Sequence, residues 1–311
     1  MDLFFVNGAK LMDPMPKGGE PDKSDPRFWN RLYRNNGDGS FTDVTEKAGL
    51  RGCCYGMGVA VGDYDRNGTV DLFKTNFAGD TSTLYANAGK GFCDDRTFAA
   101  GIGLNTRWLG WGVGFVDLDN DGWLDIFIVN GHVYPEVERV KTEAGYRQRK
   151  VVYRNLGNGR FEDVSERLGP PVTTPAAGRG AAFADLDNDG DVDVVVNNIH
   201  APPDLFRLTA PPDAHWLTLK LVGTTSNRSA IGARVKLVSP GGAQLQEVRG
   251  GGSYYSQNDL RPHFGLGRDT AIERVDVRWP NGREERWIAP KVDQILTLTE
   301  GTGTPIPPDQ P

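Results

Sequence analysis

Three short acidic loops carry the side chains best suited to chemistry. In each loop, side chains bearing oxygen occupy positions 1, 3, 5 and 9, and position 6 is glycine. Hard cations such as Ca²⁺ take about six to eight oxygen ligands, and alternate residues of a tight loop can direct their oxygens at one ion. Position 7, which is Thr69, Trp123 or Asp191, would add its backbone carbonyl. The predicted ligands are Asp63, Asp65, Asn67 and Asp71 in the first loop, Asp117, Asp119, Asp121 and Asp125 in the second, and Asp185, Asp187, Asp189 and Asp193 in the third.

One such loop alone is equally well explained as a solvated Asp/Asn/Gly turn. Three copies with one spacing favour metal, and they predict about three Ca²⁺ sites. An EF-hand is excluded, because it needs a bidentate glutamate at position 12 and flanking helices. Position 12 here is Lys74, Ile128 or Val196. Each loop follows a glycine-rich apolar run and precedes a β-rich run, so we expect the ion in a strand–loop–strand hairpin.

A second pattern repeats along the chain together with the acidic loops. Residues 32–44, LYRNNGDGSFTDV, recur at 152–164 and more weakly at 84–92. Alternating apolar residues around an Asn/Gly turn predict a β-hairpin. One repeat therefore has four strands, with complete units at 56–98 and 110–166 and partial units on both sides. Four-stranded sheets repeated in this way predict a β-propeller.

The chain also shows where its parts begin and end. Residues 1–8 match 124–131, so the first unit starts in its second strand, and we expect upstream blades and any signal peptide to be absent from this chain. Ala210-Pro211-Pro212 marks a boundary, after which short strands and turns predict a small β-sandwich-like domain. The expected division is blades over 1–210, a β-domain over 211–300 and a flexible tail over 301–311.

Composition limits the classes of function. The net charge of −6 is local, because the three loops hold twelve acidic residues and the remainder of the 311-residue chain sums to +6. No basic patch interleaved with aromatic residues indicates nucleic-acid binding. No apolar run approaches the roughly 18 residues of a membrane span. Cys53, Cys54 and Cys93 show no metal or redox spacing, so we treat them as structural or free.

The acidic loops and hairpins resemble FG-GAP (VCBS-type) repeats of the kind found in integrin α-subunit propellers. Residues 227–235, 264–267 and 277–282 resemble the ASPIC/UnbV domain, and the combination is similar to proteins of the cartilage acidic protein type. The resemblance implies an exported propeller stabilised by calcium, with ions on one face and partners on the other. We therefore expect a secreted, periplasmic or cell-surface protein.

The favoured function is a non-catalytic scaffold for binding or adhesion. No GxSxG or HExxH motif occurs, and no two of the four histidines are closely spaced. Two alternatives stay open: an enzyme or biosynthetic accessory protein with its site in upstream blades or near Asp259, Arg261 and His263, and a lectin-like carbohydrate binder. Variable loops at the end of the blades opposite the acidic loops are the expected face for a protein or glycan partner. The candidate contact residues there are Phe28, Trp29, Arg107, Trp108, His132 and Tyr134.

Overall fold

The fold is built almost entirely from short antiparallel strands. A computed structural model describes residues 2–16, 19–52, 54–140 and 144–307. Cys53 and residues 308–311 of the expected tail lie outside these ranges. Regular helix within them is limited to α1 (Pro170–Thr173) and two 3-10 turns, Pro26–Phe28 and Pro135–Arg139. None of the described helices is long and apolar enough to cross a membrane.

Four successive meanders occupy the first two thirds of the chain. In each meander, neighbouring strands in sequence pair side by side in antiparallel register. The second and third meanders have four strands, and the first and fourth have three, as the repeat pattern predicts. The strands are β1 (Leu3–Phe5), β2 (Arg31–Asn35) and β3 (Phe41–Asp43); β4 (Gly56–Gly62), β5 (Asp71–Asn76), β6 (Thr83–Asn87) and β7 (Cys93–Asp95); β8 (Gly110–Val116), β9 (Asp125–Asn130), β10 (Val151–Asn155) and β11 (Phe161–Asp163); and β12 (Gly178–Ala184), β13 (Asp193–Asn198) and β14 (Asp204–Phe206).

Glycine brings the first strands of consecutive meanders into close contact. β4 packs against β8, and β8 packs against β12. A Cβ at Gly58 would lie 1.9 Å from the carbonyl oxygen of Trp111, so no larger residue fits there. Apolar side chains fill the layers farther out, where Phe73, Ile126 and Tyr153 belong to one buried cluster. The meanders therefore stack as consecutive propeller blades, and the described residues form no closed ring.

The C-terminal domain is a two-layered β-structure. One sheet has three strands, in which β15 pairs in parallel with β21 and antiparallel with β18. The second sheet has five strands, and both layers contribute to a core that includes Leu219, Val235, Phe264, Val275 and Trp279. This confirms the predicted all-β class. The strands are β15 (His215–Val222), β16 (Arg234–Ser239), β17 (Gly242–Glu247), β18 (His263–Gly267), β19 (Arg274–Arg278), β20 (Glu284–Ile288), β21 (Gln294–Thr299) and β22 (Thr304–Pro305).

Two features of this domain were not part of the sequence-based prediction. The sequence patterns predicted strands over 216–222, 233–238, 244–249, 274–279 and 294–298, and β18 and β20 were not among them. Within the expected tail, β22 pairs with β20, and the N–H of Ile306 donates to the Glu284 carbonyl at 3.0 Å. Pairing at an open sheet edge supplies the order that composition alone does not indicate.

The connection between β17 and β18, residues 249–262, is here called the axial loop. It enters the space bordered by the first strands of three blades. The N–H of Val113 donates to Ser253 Oγ at 2.8 Å, and the N–H of Asp259 donates to the carbonyl of Phe183 at 3.0 Å. At its tip, Tyr254 packs edge-on against Trp111 with ring centroids 4.7 Å apart. The C-terminal domain thus inserts the axial loop into the glycine-lined centre of the blades, where a cavity of about 350 Å³ remains between loop and strands.

Candidate metal centre

The three acidic loops each connect the first strand of a blade to its second. In every loop, one carboxylate oxygen from each of three aspartates comes within 4.8 Å of the others. The three groups are Asp63, Asp65 and Asp71; Asp117, Asp119 and Asp121; and Asp185, Asp187 and Asp189. Three carboxylates this close together repel one another unless they share a cation.

The aspartate at position 1 supplies the strongest sign of a ligand. Its Oδ2 accepts the N–H of the glycine at position 6, at 3.0 Å for Asp63 and 2.8 Å for Asp117. Both side chains are buried, 5% and 4% exposed. The Oδ1 atom of each is also buried and has no hydrogen-bond partner among the described residues. A buried carboxylate oxygen without a partner is costly, and a bound cation removes that cost.

The aspartate at position 9 anchors the loop to the third strand of the blade. Oδ1 of Asp71 accepts the N–H of Asn87 at 2.7 Å, and Oδ1 of Asp125 accepts that of Asn155 at 2.7 Å. In the third loop, Oδ1 of Asp193 accepts the N–H of Leu208 at 3.0 Å. The repeated Asp/Asn spacing therefore encodes a contact between the two hairpins of one blade.

Burial makes these carboxyl groups poor anions without a cation. Desolvation raises the pKa of Asp63 to about 6, against the opposing Gly68 hydrogen bond. Desolvation raises the pKa of Asp71 to about 7. For Asp117, burial followed by the charge of Asp125 raises the pKa well above its ordinary value. The donor set, all oxygen and acidic, is the one that Ca²⁺ prefers.

In two of the three loops, an arginine from another part of the blade pairs with the loop carboxylates. Arg154 Nε lies 3.1 Å from Asp119 Oδ2, and its NH2 lies 3.6 Å from Asp121 Oδ2. Arg207 bridges Asp187 and Asp189 in the same way. The first loop has Ala86 at the corresponding place of its third strand. For Arg154 the recurring Tyr-Arg-Asn sequence was the available signal, whereas Arg207 stands in the sequence Phe206-Arg207-Leu208.

The candidate partner-binding residues are not gathered into one site. Phe28 and Trp29 are both half-buried, and the Arg51 guanidinium lies 5.1 Å from the Trp29 ring. His132 is only 3% exposed and packs edge-on against Phe77. The Tyr134 hydroxyl donates to the carbonyl of Met12 at 3.2 Å. These contacts hold loops together, so His132 in particular offers little surface to a partner.

Trp108 differs from the other aromatic candidates. Arg107 and Arg149 approach its ring, with guanidinium carbons 5.4 and 5.5 Å from the centroid. These residues line an open groove with Leu104, which is 91% exposed. Tryptophan and arginine are residue types that often dominate the binding energy of an interface.

The residues considered for a hidden catalytic site are engaged between the domains. Arg261 pairs with Asp259 at 2.6 Å. His263 lies 2.8 Å from the hydroxyl of Thr218 and 2.7 Å from Asn120 Oδ1, and burial lowers its pKa to about 4. Every one of these groups has a structural partner. Within the part of the chain that the structure describes, Cys93 forms no disulfide.

Comparison with known proteins agrees with this architecture. Residues 1–73 and 144–196 match the FG-GAP-like repeat family, and residues 223–305 match the ASPIC and UnbV family. The chain is 29% identical to mouse cartilage acidic protein 1 over 259 residues, and 29% identical to the human protein over 262 residues. The alignments cover 82% of this chain but only 38% and 37% of those two relatives. The chain therefore contains FG-GAP-like repeats followed by an ASPIC and UnbV domain, with homology to part of cartilage acidic protein 1.

Proposed function

We propose that this chain is a calcium-stabilised, non-catalytic binding scaffold that works outside the cell. The observation that carries the proposal is the pair of buried, unpartnered Oδ1 atoms on Asp63 and Asp117, each facing further carboxylates. The remaining ligand groups repeat in all three loops, and homology to cartilage acidic protein 1 supports an extracellular type of repeat protein.

The expected affinity suits an extracellular ion. Calcium sites of extracellular modules have Kd values of about 10⁻⁴–10⁻³ M. At about 1 mM calcium, each occupied site would then add about 0.4–1.4 kcal/mol to the free energy of unfolding by mass action. Three such sites together would be a substantial share of the stability of a domain.

Melting with and without calcium tests the proposal. We expect the Tm to rise when calcium replaces EGTA, and calorimetric titration should show about three sites. Asp117→Asn should remove one site, because it deletes a charge at the unpartnered position. Asp38→Asn, in an exposed Asn-Gly turn, is the matched control and should leave the titration unchanged. Equal Tm values in calcium and EGTA, with no heat of binding, would refute the calcium role.

Binding of a partner is assigned to the end of the blades opposite the acidic loops. In the two complete meanders the acidic loop and the turn between the third and fourth strands share one end, so the connections from second to third strand and from blade to blade lie at the other. The groove at Trp108 belongs to a connection of the latter kind. Its exposed leucine, tryptophan and arginines favour a protein or glycan ligand there.

Arrays of extracellular proteins and glycans, probed with the calcium-loaded chain, test this surface. Trp108→Ala should abolish capture of any ligand that the unmodified chain retains. Phe41→Ala is the control, because Phe41 is 42% exposed and lies in the hairpin of the first blade, beside its Asn-Gly turn. Loss of binding in the control, with full binding by Trp108→Ala, would show that the partner binds at the acidic-loop end and would refute this assignment.

A further inference from the structure

The residue at position 4 of each acidic loop contacts the C-terminal domain. This residue lies between ligand positions 3 and 5, and in all three loops it has a left-handed backbone, with φ values of 56°, 56° and 61° for Arg66, Asn120 and Asn188. An NH1 of Arg66 donates to the carbonyl of Gly241 at 3.3 Å. Asn188 Oδ1 accepts from NH1 of Arg261 at 2.7 Å. The domain therefore contacts the same position in every loop.

Asn120 makes the densest of these contacts. It is 2% exposed, and its carbonyl accepts the N–H of Gly267 at 2.7 Å. Its Oδ1 lies 2.7 Å from Nε2 of His263. Its Nδ2 donates to Asp191 Oδ1 of the third loop at 2.9 Å. One side chain thus joins two acidic loops and a strand of the C-terminal domain.

The domain also lies directly against the loop residues that surround the ion sites. A Cβ at Gly265 would come 2.1 Å from Asp117 Oδ2, so only glycine leaves room for that carboxylate. Trp216 covers Gly190 at position 6 of the third loop, where a Cβ would meet Trp216 Cε2 at 1.9 Å. NH2 of Arg261 donates to the carbonyl of Asp185 at 2.9 Å.

We propose that calcium in the loops controls the docking of the C-terminal domain on the blades. The inference rests on the proposed calcium sites. An ion that binds positions 3 and 5 fixes the residue between them, whereas repelling carboxylates without an ion let the loop open and move position 4. Because coupling between two binding events is reciprocal, a docked domain must also raise the calcium affinity.

Hydrogen exchange on the intact chain measures the first half of the coupling. Residues 259–268 contain N–H groups of Asp259 and Gly267 that donate to the blades. Replacing calcium with EGTA should speed exchange in this segment at least fivefold. Exchange in β19, which lies in the core of the domain, should change less than twofold, and this distinguishes undocking from global unfolding.

Calcium titration of a variant remote from the loops measures the second half. Tyr254→Ala removes the contact with Trp111 at the tip of the axial loop and touches no acidic loop. We expect calcium affinity to fall about fivefold or more, within the usual range of allosteric coupling. Tyr254→Phe is the matched control, because it keeps the ring that packs against Trp111, and it should bind calcium as the unmodified chain does.

The outcomes separate the two proposals. No calcium binding by the unmodified chain would overturn the proposed function itself. If the chain binds calcium but exchange in residues 259–268 does not change, the coupling alone is overturned. The same holds if Tyr254→Ala and the unmodified chain bind calcium with equal affinity. If Tyr254→Ala fails to fold, judged by exchange in β19, Ser253→Ala replaces it, since that variant loses the acceptor for the Val113 N–H.

Discussion

Replacing Arg154 with alanine should change stability in opposite directions with and without calcium. Its guanidinium lies 3.1 Å from Asp119 Oδ2 and 3.6 Å from Asp121 Oδ2, so it partly neutralises the second loop when no ion is bound. The same positive charge repels a calcium ion held by those oxygens. Arg154→Ala therefore removes a favourable contact from the calcium-free protein and an unfavourable one from the loaded protein.

The size of both effects follows from Coulomb's law. Two unit charges 4 Å apart interact with about 1 kcal/mol in a medium like water and about 4 kcal/mol at an effective dielectric constant of 20. The Arg154 side chain is 47% exposed, so screening favours the lower part of this range. A repulsion of about 1–2 kcal/mol corresponds to roughly a 5–30-fold gain in calcium affinity. The loss in the calcium-free protein should be at most about 1 kcal/mol.

Calorimetric titration of the second site, together with melting curves in EGTA and in calcium, measures both effects. Arg167→Ala is the control, because the Arg167 side chain is 60% exposed and pairs with Glu162 at 2.7 Å rather than with a loop carboxylate. We expect Arg154→Ala to show a lower Tm in EGTA and a larger rise on adding calcium. An affinity equal to or weaker than that of the unmodified chain would refute the assignment of Arg154 as a competing charge.

Three further predictions concern other parts of the chain. Glu300 accepts the N–H groups of three consecutive residues, Thr224, Thr225 and Ser226. Glu300→Gln should therefore lower the free energy of unfolding, measured in urea, by about 1–3 kcal/mol. The control Glu284→Gln, at an exposed position, should change it little. Burial lowers the pKa of His132 to about 4, so between pH 6.5 and 4 the unfolded chain binds a proton that the folded chain does not. Stability should therefore fall as the pH is lowered through this window, by up to about 1.4 kcal/mol per unit. His132→Asn should flatten that fall, because asparagine does not titrate and its Oδ1 still accepts the Tyr134 N–H; an unchanged slope would contradict the assignment. A Cβ at Gly112 would lie 2.7 Å from the backbone N of Ala181 and 2.7 Å from the carbonyl oxygen of Arg179. Gly112→Ala should therefore lower the free energy of unfolding by about 1–3 kcal/mol. An unchanged urea midpoint would show that the first strands of neighbouring blades separate easily.

The parts of the fold that the sequence predicts are those set by local rules. Acidic spacing and Asn-Gly turns are read within about a dozen residues, and the blades begin and end close to where those signals predict. β18 and β20 escaped prediction because their sequences, HFGLG and EERWI, have weak intrinsic strand preference, and neighbouring strands determine their conformation. The close contact between Gly265 and Asp117 joins residues far apart in the chain, and no local sequence pattern encodes such a contact.

The axial loop has a consequence for the order in which the protein is made. Synthesis proceeds from the N-terminus, so β14 leaves the ribosome before the loop that enters the centre of the blades. Roughly 60 further residues must be added before His263 emerges, which takes about 3–12 s at 5–20 residues per second. For that interval the glycine-rich strands β4, β8 and β12 are complete while the loop that covers them is not. Nascent chains in this window are the ones that we expect chaperones to retain, and each copy completes its core only when its last domain arrives.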